Sequence, residues 1–157
     1  MTYNPLPIVL YPDPVLLTRC GPVAAITTEI ETLAGRMVAT VLAHPNCVGL
    51  AAPQVGVPVR MIVVRFASGR RNNNIGPCVM VNPVKVREGD DRVAESEGCL
   101  SQPGVTFRVI RRRIVDVSWQ TIGETVECIG TFKGMDARVI QHELDHLDGI
   151  NIGRSKP

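Results

Sequence analysis

The sequence predicts an α+β fold, and three observations carry that prediction. An apolar stripe at helical spacing lies near the amino end, β-rich segments fill the middle of the chain, and a second amphipathic helix lies near the carboxyl end. A helix, then a run of strands, then a helix argues for antiparallel sheets rather than a doubly wound parallel one. With 157 residues the chain suits one domain spanning residues 1–157. A chain this long buries about two-thirds of its unfolded surface, so folding needs no disulfide or structural metal.

The elements follow in order. Residues 1–25 are punctuated by Pro12, Pro14 and Pro22, which oppose long regular structure. From Thr27 the pattern changes. Ile30, Leu33, Ala34, Met37, Val38, Val41 and Leu42 recur at three- and four-residue steps and predict a helix over 28–43. Thr27 or Thr28 suits the N-cap, and Glu29 and Glu31 suit the positive end of the helix dipole. His44-Pro45-Asn46 ends the helix, with His44 facing its negative end. Val59–Phe66 is rich in β-branched residues and reads as a strand. Ala67–Pro77 reads as a polar loop with Asn72-Asn73-Asn74 at its tip. Val79–Val81 and Val84–Val86 flank Asn82-Pro83 as two further strand-like runs. Thr106–Thr121 is one long β-rich segment, and Glu124–Phe132 is its hairpin partner across a turn at Gly123. Met135, Val139, Ile140 and Leu144 give the second helix its apolar face over 135–147, with Gly149 as its C-cap.

Composition excludes several classes. Hydrophobic residues at 45% and charged residues at 20% are ordinary for a globular chain and rule out wholesale disorder. A net charge of +2 is too small to argue for direct nucleic-acid binding, and 4% aromatics leave little for base stacking. No apolar run reaches about 18 residues, so no membrane helix is expected. The first seventeen residues have no basic leader and four prolines, unlike a secretory signal. Cys20, Cys47, Cys78, Cys99 and Cys128 are odd in number and widely spaced. They read as free, mostly structural thiols in a reducing cytoplasm.

The strongest chemical signal is His142-Glu143-Leu144-Asp145-His146. Histidines at i and i+4 share one helix face, so their imidazoles can converge on one metal. A glutamate beside the first can act as general base on water at that metal. A catalytic metal needs a third protein ligand. The position where one extended motif carries a third histidine is Ile152, and no glutamate follows His146. His44 is assigned to a helix end, so the third ligand should lie upstream and need not be a histidine. Glu97-Gly98-Cys99-Leu100-Ser101 offers a thiolate, although by spacing alone any of the five cysteines could serve. Val48–Gln54 surrounds one amide side chain with small residues. Gly49 permits close approach of another backbone, and Gln54 could donate to an oxyanion. Taken alone, that segment reads as a tight helix-to-strand connection.

Together, Cys47–Gly56, Glu97–Ser101 and Gln141–His146 resemble the three signature segments of peptide deformylases, in order and in approximate separation. Tyr11-Pro12-Asp13-Pro14 is also similar to that family, and the resemblance covers about residues 7–151. It implies antiparallel β-sheets packed around a central C-terminal metal-binding helix, with one further N-terminal helix. It also implies a hydrolase that removes the formyl group from N-formyl-methionyl polypeptides and releases formate. Cys99, His142 and His146 would hold one divalent ion, natively Fe2+, with Zn2+ or Ni2+ able to occupy the site. Glu143 would be base and then acid, with Gln54 and the Leu100 amide as the oxyanion hole. Gly49 would hold the peptide as an added strand. Val48, Gly98, Val139 and the His142 ring would line the methionine pocket. Asp145 would pair with Arg111 and tie the metal helix to the sheet. Glu97 is either a support for Gln54 and the cysteine loop or a solvated turn carboxylate.

Two departures stand out against the resemblance. Cys47 stands where the family usually has glycine, and it reads as a tolerated substitution rather than a fourth ligand. Asn151–Pro157 cannot supply the carboxyl-terminal helix by which many members dock on the ribosome, so contact with the ribosome would be transient at most. Competing readings are a metallopeptidase and a silent metal-binding or ribosome-associated module. The cysteine segment argues against the first, and intact Glu143 and Gln54 argue against the second.

Overall fold

The computed structural model describes residues 2–67 and 76–153. The amino-terminal stretch is irregular as its prolines dictate, apart from a 3-10 turn over Pro14–Leu17. Helix α1 spans Thr28–Ala43. Thr27 is its N-cap, with Oγ1 accepting from the Ile30 N–H at 3.4 Å. The His44 ring sits 2.8 Å from the Thr40 carbonyl at the other end.

Among the described residues seven strands follow: β1 (Gly49–Ala51), β2 (Met61–Val64), β3 (Cys78–Glu88), β4 (Arg92–Cys99), β5 (Gln102–Arg112), β6 (Ile114–Gln120) and β7 (Glu127–Lys133). Five form an antiparallel sheet in the order β1-β2-β3-β6-β7, while β4 and β5 form a separate two-stranded sheet. Helix α2 spans Gly134–Leu147. The fold is α+β with antiparallel sheets, as the sequence predicts.

Strand β2 explains how the main sheet is covered on both faces. Its four residues are fully buried. Met61 and Val63 point into a core with Met37 and Val41 of α1, whereas Ile62 and Val64 point into a core with Ala137 and Ile140 of α2. A continuous apolar run is what a doubly covered strand requires. Helix α2 therefore packs on the main sheet through one face. With its other face it meets the second sheet: the Gln141 amide accepts from Arg112 N–H at 3.0 Å and donates to the Arg112 carbonyl at 2.9 Å.

The structure departs from the sequence reading in four places. Val79–Val86 is one strand, not two. Asn82, with φ of +50°, makes an irregularity inside β3, and its side chain bonds both the N–H and the C=O of Val23 at 2.8 Å. Thr106–Thr121 is divided between two sheets at Arg113. The Arg113 N–H donates to Asp91 O and its carbonyl accepts from Gly134 N, both at 2.9 Å, so the chain turns a corner there. Arg92–Cys99, not anticipated as a strand, pairs along its length with β5. The Val48–Gln54 segment is not a bare connection: it holds β1 and then a 3-10 turn over Ala52–Val55. The expected loop tip at Asn72-Asn73-Asn74 lies outside the described residues.

The carboxyl end of α2 shows why Gly149 suits that position. Its φ is +73°, a left-handed conformation favourable to glycine, and Ile150 N–H reaches back to Asp145 O at 2.9 Å. A Cβ on Gly149 would come within 2.8 Å of Leu17 O, so the helix end is seated against the Pro14–Leu17 turn.

Candidate metal centre

Three elements converge beside a cavity of about 590 Å3. The β1 segment and its 3-10 turn bring Val48, Gly49 and Gln54; the end of β4 brings Gly98, Cys99 and Leu100; α2 brings Val139, His142 and Glu143. Every sequence-predicted site residue lines this cavity except His146, which lies beneath it at 1% exposure.

Cys99, His142 and His146 form the one His/Cys/carboxylate group of metal-ligand geometry among the described residues. Cys99 Sγ lies 3.3 Å from His146 Nε2, and the two Nε2 atoms lie 3.2 Å apart. Donor atoms around one tetrahedral zinc-sized cation, at about 2.0–2.3 Å from it, stand roughly 3.3–3.6 Å from each other. The trio therefore fits a single divalent cation. His142 Nδ1–H donates to Glu97 Oε1 at 2.9 Å, so Nε2 is the ring nitrogen turned to the trio. Cys47 is not part of the group: its thiol donates to the Gly49 carbonyl at 3.1 Å.

Electrostatics around the trio follow from burial. Burial pushes the Glu143 carboxyl up to about 7, against the pull of the His142 and Arg111 charges. Its Oε2 is buried and has no hydrogen-bond partner among the described residues. An unpaired carboxylate oxygen at a buried site is costly unless the site uses it. Burial also drives Glu97 upward, but hydrogen bonds from His142 and Arg111 outweigh it and hold that carboxyl at about 2. Burial lowers both imidazoles. For His142 the Cys99 sulfur and Glu97 reverse this to about 10, while the neighbouring His142 charge adds to it for His146 and leaves it at about 3.

Gln54 is fixed from both ends. Its Oε1 accepts from Ala51 N–H at 2.9 Å, which turns Nε2 toward Cys99 Sγ at 3.3 Å and Ser101 Oγ at 3.2 Å. The amide donor thus lies beside the trio. Gly49 is there by necessity: a Cβ would run into Glu143 Oε1 and come within 2.8 Å of Val139 Cγ1.

Glu97 is not a solvated turn carboxylate. At 8% exposure it accepts from Arg111 Nε at 3.0 Å and Nη2 at 2.9 Å, from Arg138 and from His142. Arg111 also bonds Asp145, the pair expected to tie the metal helix to a sheet. Sequence reasoning missed Arg138, Gln141 and Ser101. Arg138 lies one helical turn before His142, and that spacing was a signal for a shared partner. Ser101 and Gln141 sit inside the segments that were singled out, and only their hydrogen bonds reveal their parts.

The chain is similar in sequence and in fold to known proteins. The family model described as polypeptide deformylase matches residues 5–154. A peptide deformylase from Desulforudis audaxviator is 45% identical over 144 residues, covering 91% of this chain and 88% of that one. The crystal structure of the peptide deformylase from Thermotoga maritima superposes with a TM-score of 0.84 at 33% identity, covering 99% of this chain and 100% of the other. A class I type b peptide deformylase from Acinetobacter baumannii with Met-Ala-Ser bound superposes at 0.83 with 33% identity, over 96% and 97% of the two chains.

Proposed function

The chain belongs to the polypeptide deformylase family, and from that premise we propose which residues do its work, in which one catalytic domain and with which metal. It is a hydrolase that removes the N-formyl group from an N-terminal methionine and releases formate. The observation that carries the assignment of roles is the Cys99, His142 and His146 trio with the unpartnered Glu143 oxygen near it.

Cys99, His142 and His146 hold one divalent cation, with the Cys99 sulfur as thiolate. When bound, that cation polarises the formyl carbonyl and lowers the pKa of water at the site. One thiolate and two imidazoles suit Fe2+, Zn2+ and Ni2+, and Fe2+ is the native ion in this reading. Glu143 takes a proton from the attacking water as its oxygen adds to the formyl carbon. The same carboxyl then gives that proton to the leaving amine nitrogen as the carbon–nitrogen bond breaks. Gln54 Nε2 and the Leu100 N–H donate to the oxygen that gains charge, and the bond from Ala51 N–H keeps Nε2 aimed before the substrate arrives.

Gly49 and its neighbouring backbone hold the peptide as an added strand, which reads main chain rather than sequence. Val48, Gly98, Val139 and the His142 ring line the pocket for the methionine side chain. The Acinetobacter relative holds Met-Ala-Ser, a peptide of the kind this chain would leave behind. No helix among the described residues is long and apolar enough to cross a membrane. Free thiols at all five cysteines fit a reducing cytoplasm, where nascent polypeptides are met as they leave the ribosome.

Protein purified anaerobically and loaded with Fe2+, offered formyl-Met-Ala-Ser and acetyl-Met-Ala-Ser, should release formate from the first and leave the second intact. Internal cleavage of a longer peptide would point to a peptidase instead. Metal analysis of the protein as isolated under the same conditions tests the choice of iron.

A further inference from the structure

Strand β1 lies at one end of the main sheet, so one of its edges is paired by no described strand. Its register shows which groups face that edge. In an antiparallel ladder, residues alternate between facing the partner strand and facing away. Val48 O accepts from Arg65 N–H at 2.8 Å, which turns residue 48 toward β2 and therefore Gly49 and Ala51 away from it. Two groups on this outer edge are already engaged by side chains. The Ala51 N–H is held by Gln54 Oε1 at 2.9 Å, and the Gly49 carbonyl accepts from the Cys47 thiol at 3.1 Å. Cys47 and Gly49 both line the cavity, and Gly49 lies directly against Glu143.

We propose that Cys47 caps the free edge of β1: its thiol occupies the Gly49 carbonyl to which an entering peptide strand donates, and so sets how tightly peptides bind. The inference rests on the reading of Gly49 as part of the peptide-holding edge. What places the thiol at that edge is its contact with the Gly49 carbonyl, which the ladder leaves turned away from β2. Burial and the Glu143 charge push the thiol up to about 12, so it is protonated and a donor at neutral pH. An S–H is a weak donor, and a peptide N–H displaces it readily. The cap thus satisfies a carbonyl in the empty groove at a small cost in peptide affinity. Cys47 is a positioning residue in this account and touches no reacting atom.

The test compares Cys47→Ala and Cys47→Ser with the wild-type enzyme, each loaded with Fe2+, on formyl-Met-Ala-Ser. Loss of the donor in Cys47→Ala should lower KM about threefold, the fold-change of a modest hydrogen bond between neutral groups, with kcat moving less than twofold. Cys47→Ser keeps a donor and should hold KM at or above the wild-type value. Inhibition by the product Met-Ala-Ser should follow the same order, since it reads binding without chemistry. If Cys47→Ala is too unstable to assay, Cys47→Gly removes the same donor. An unchanged or higher KM on removing the donor overturns the cap, as does a fall in KM shared by serine, which would trace the effect to volume. Failure of the wild type to release formate would instead strike the functional reading itself.

Discussion

Gly49 and Glu143 are the closest-fitted residues of the site, and each supports a prediction. A methyl group on Gly49 has no room, because Glu143 Oε1 and Val139 Cγ1 fill that space. Gly49→Ala should push the carboxylate off its position while leaving the three ligand side chains intact. Displacing a catalytic group by about 1 Å can cost 100-fold, so kcat should fall about tenfold to a hundredfold with metal content unchanged. Glu143→Gln keeps the volume of the side chain but cannot take up and return a proton. Its kcat/KM should fall roughly a thousandfold, again with the metal retained, as metal analysis beside formate-release kinetics will report. That these residues and the two histidines would meet in one place was legible in the sequence, because the proposed chemistry asks for both their type and their spacing. Two histidines a turn apart with a glutamate between them have few other uses. What surrounds them was not legible: the partners of Glu97 come from β5 and α2, 14 and 41 residues away along the chain, and no local pattern joins them.

Between elements, the buried carboxylate of Glu97 fastens the β4–β5 sheet to α2. Arg111 of β5 and Arg138 of α2 both end on it, and Arg138 also donates to Val109 O at 3.0 Å and Val93 O at 2.7 Å. Removing one charge from a buried cluster is strongly destabilising, by about 3–5 kcal/mol, because the guanidinium groups stay behind. For a chain of this size each kcal/mol moves Tm by about 2–4 °C, so Glu97→Gln should lower Tm by roughly 6–20 °C in a thermal melt. A drop of under 2 °C would mean that Asp145, which pairs with Arg111, and Glu95, whose Oε2 lies 3.1 Å from Arg138 Nε, suffice as partners. This junction also explains why the strands were harder to read than the helices. Each helix shows its own period, and both were placed to within a residue. Strand β4 carries Arg92, Glu95, Ser96 and Glu97, residues with little strand preference of their own, and it exists through its ladder with β5. The corner at Arg113 rests on bonds to Asp91 and Gly134, partners that a β-rich run cannot announce.

At the scale of the whole molecule, the trio joins parts of the fold that share little apolar core. Cys99 ends β4 of the small sheet, while His142 and His146 belong to the helix packed on the large one. Among the described residues the buried core lies between the large sheet and helices α1 and α2, and the β4–β5 hairpin contributes none of its fully buried apolar side chains. A divalent ion bound by the three donors would therefore cross-link the hairpin to the body of the protein. An ion that binds the folded chain and not the unfolded one stabilises it by RT ln(1 + [L]/Kd), about 2.7 kcal/mol when its free concentration is a hundred times Kd. That corresponds to a rise in Tm of roughly 5–11 °C for a chain of this size. Treatment with a chelator should lower Tm by that amount, and adding back Fe2+ or Zn2+ under anaerobic conditions should restore it. Cys99→Ala should melt at the same temperature with and without chelator, because only two donors remain. Cys20→Ala and Cys128→Ala should keep the metal-dependent shift, since their sulfurs lie outside the trio. If wild type and Cys99→Ala respond alike to chelator, the ion is bound elsewhere and the three donors do not form its site.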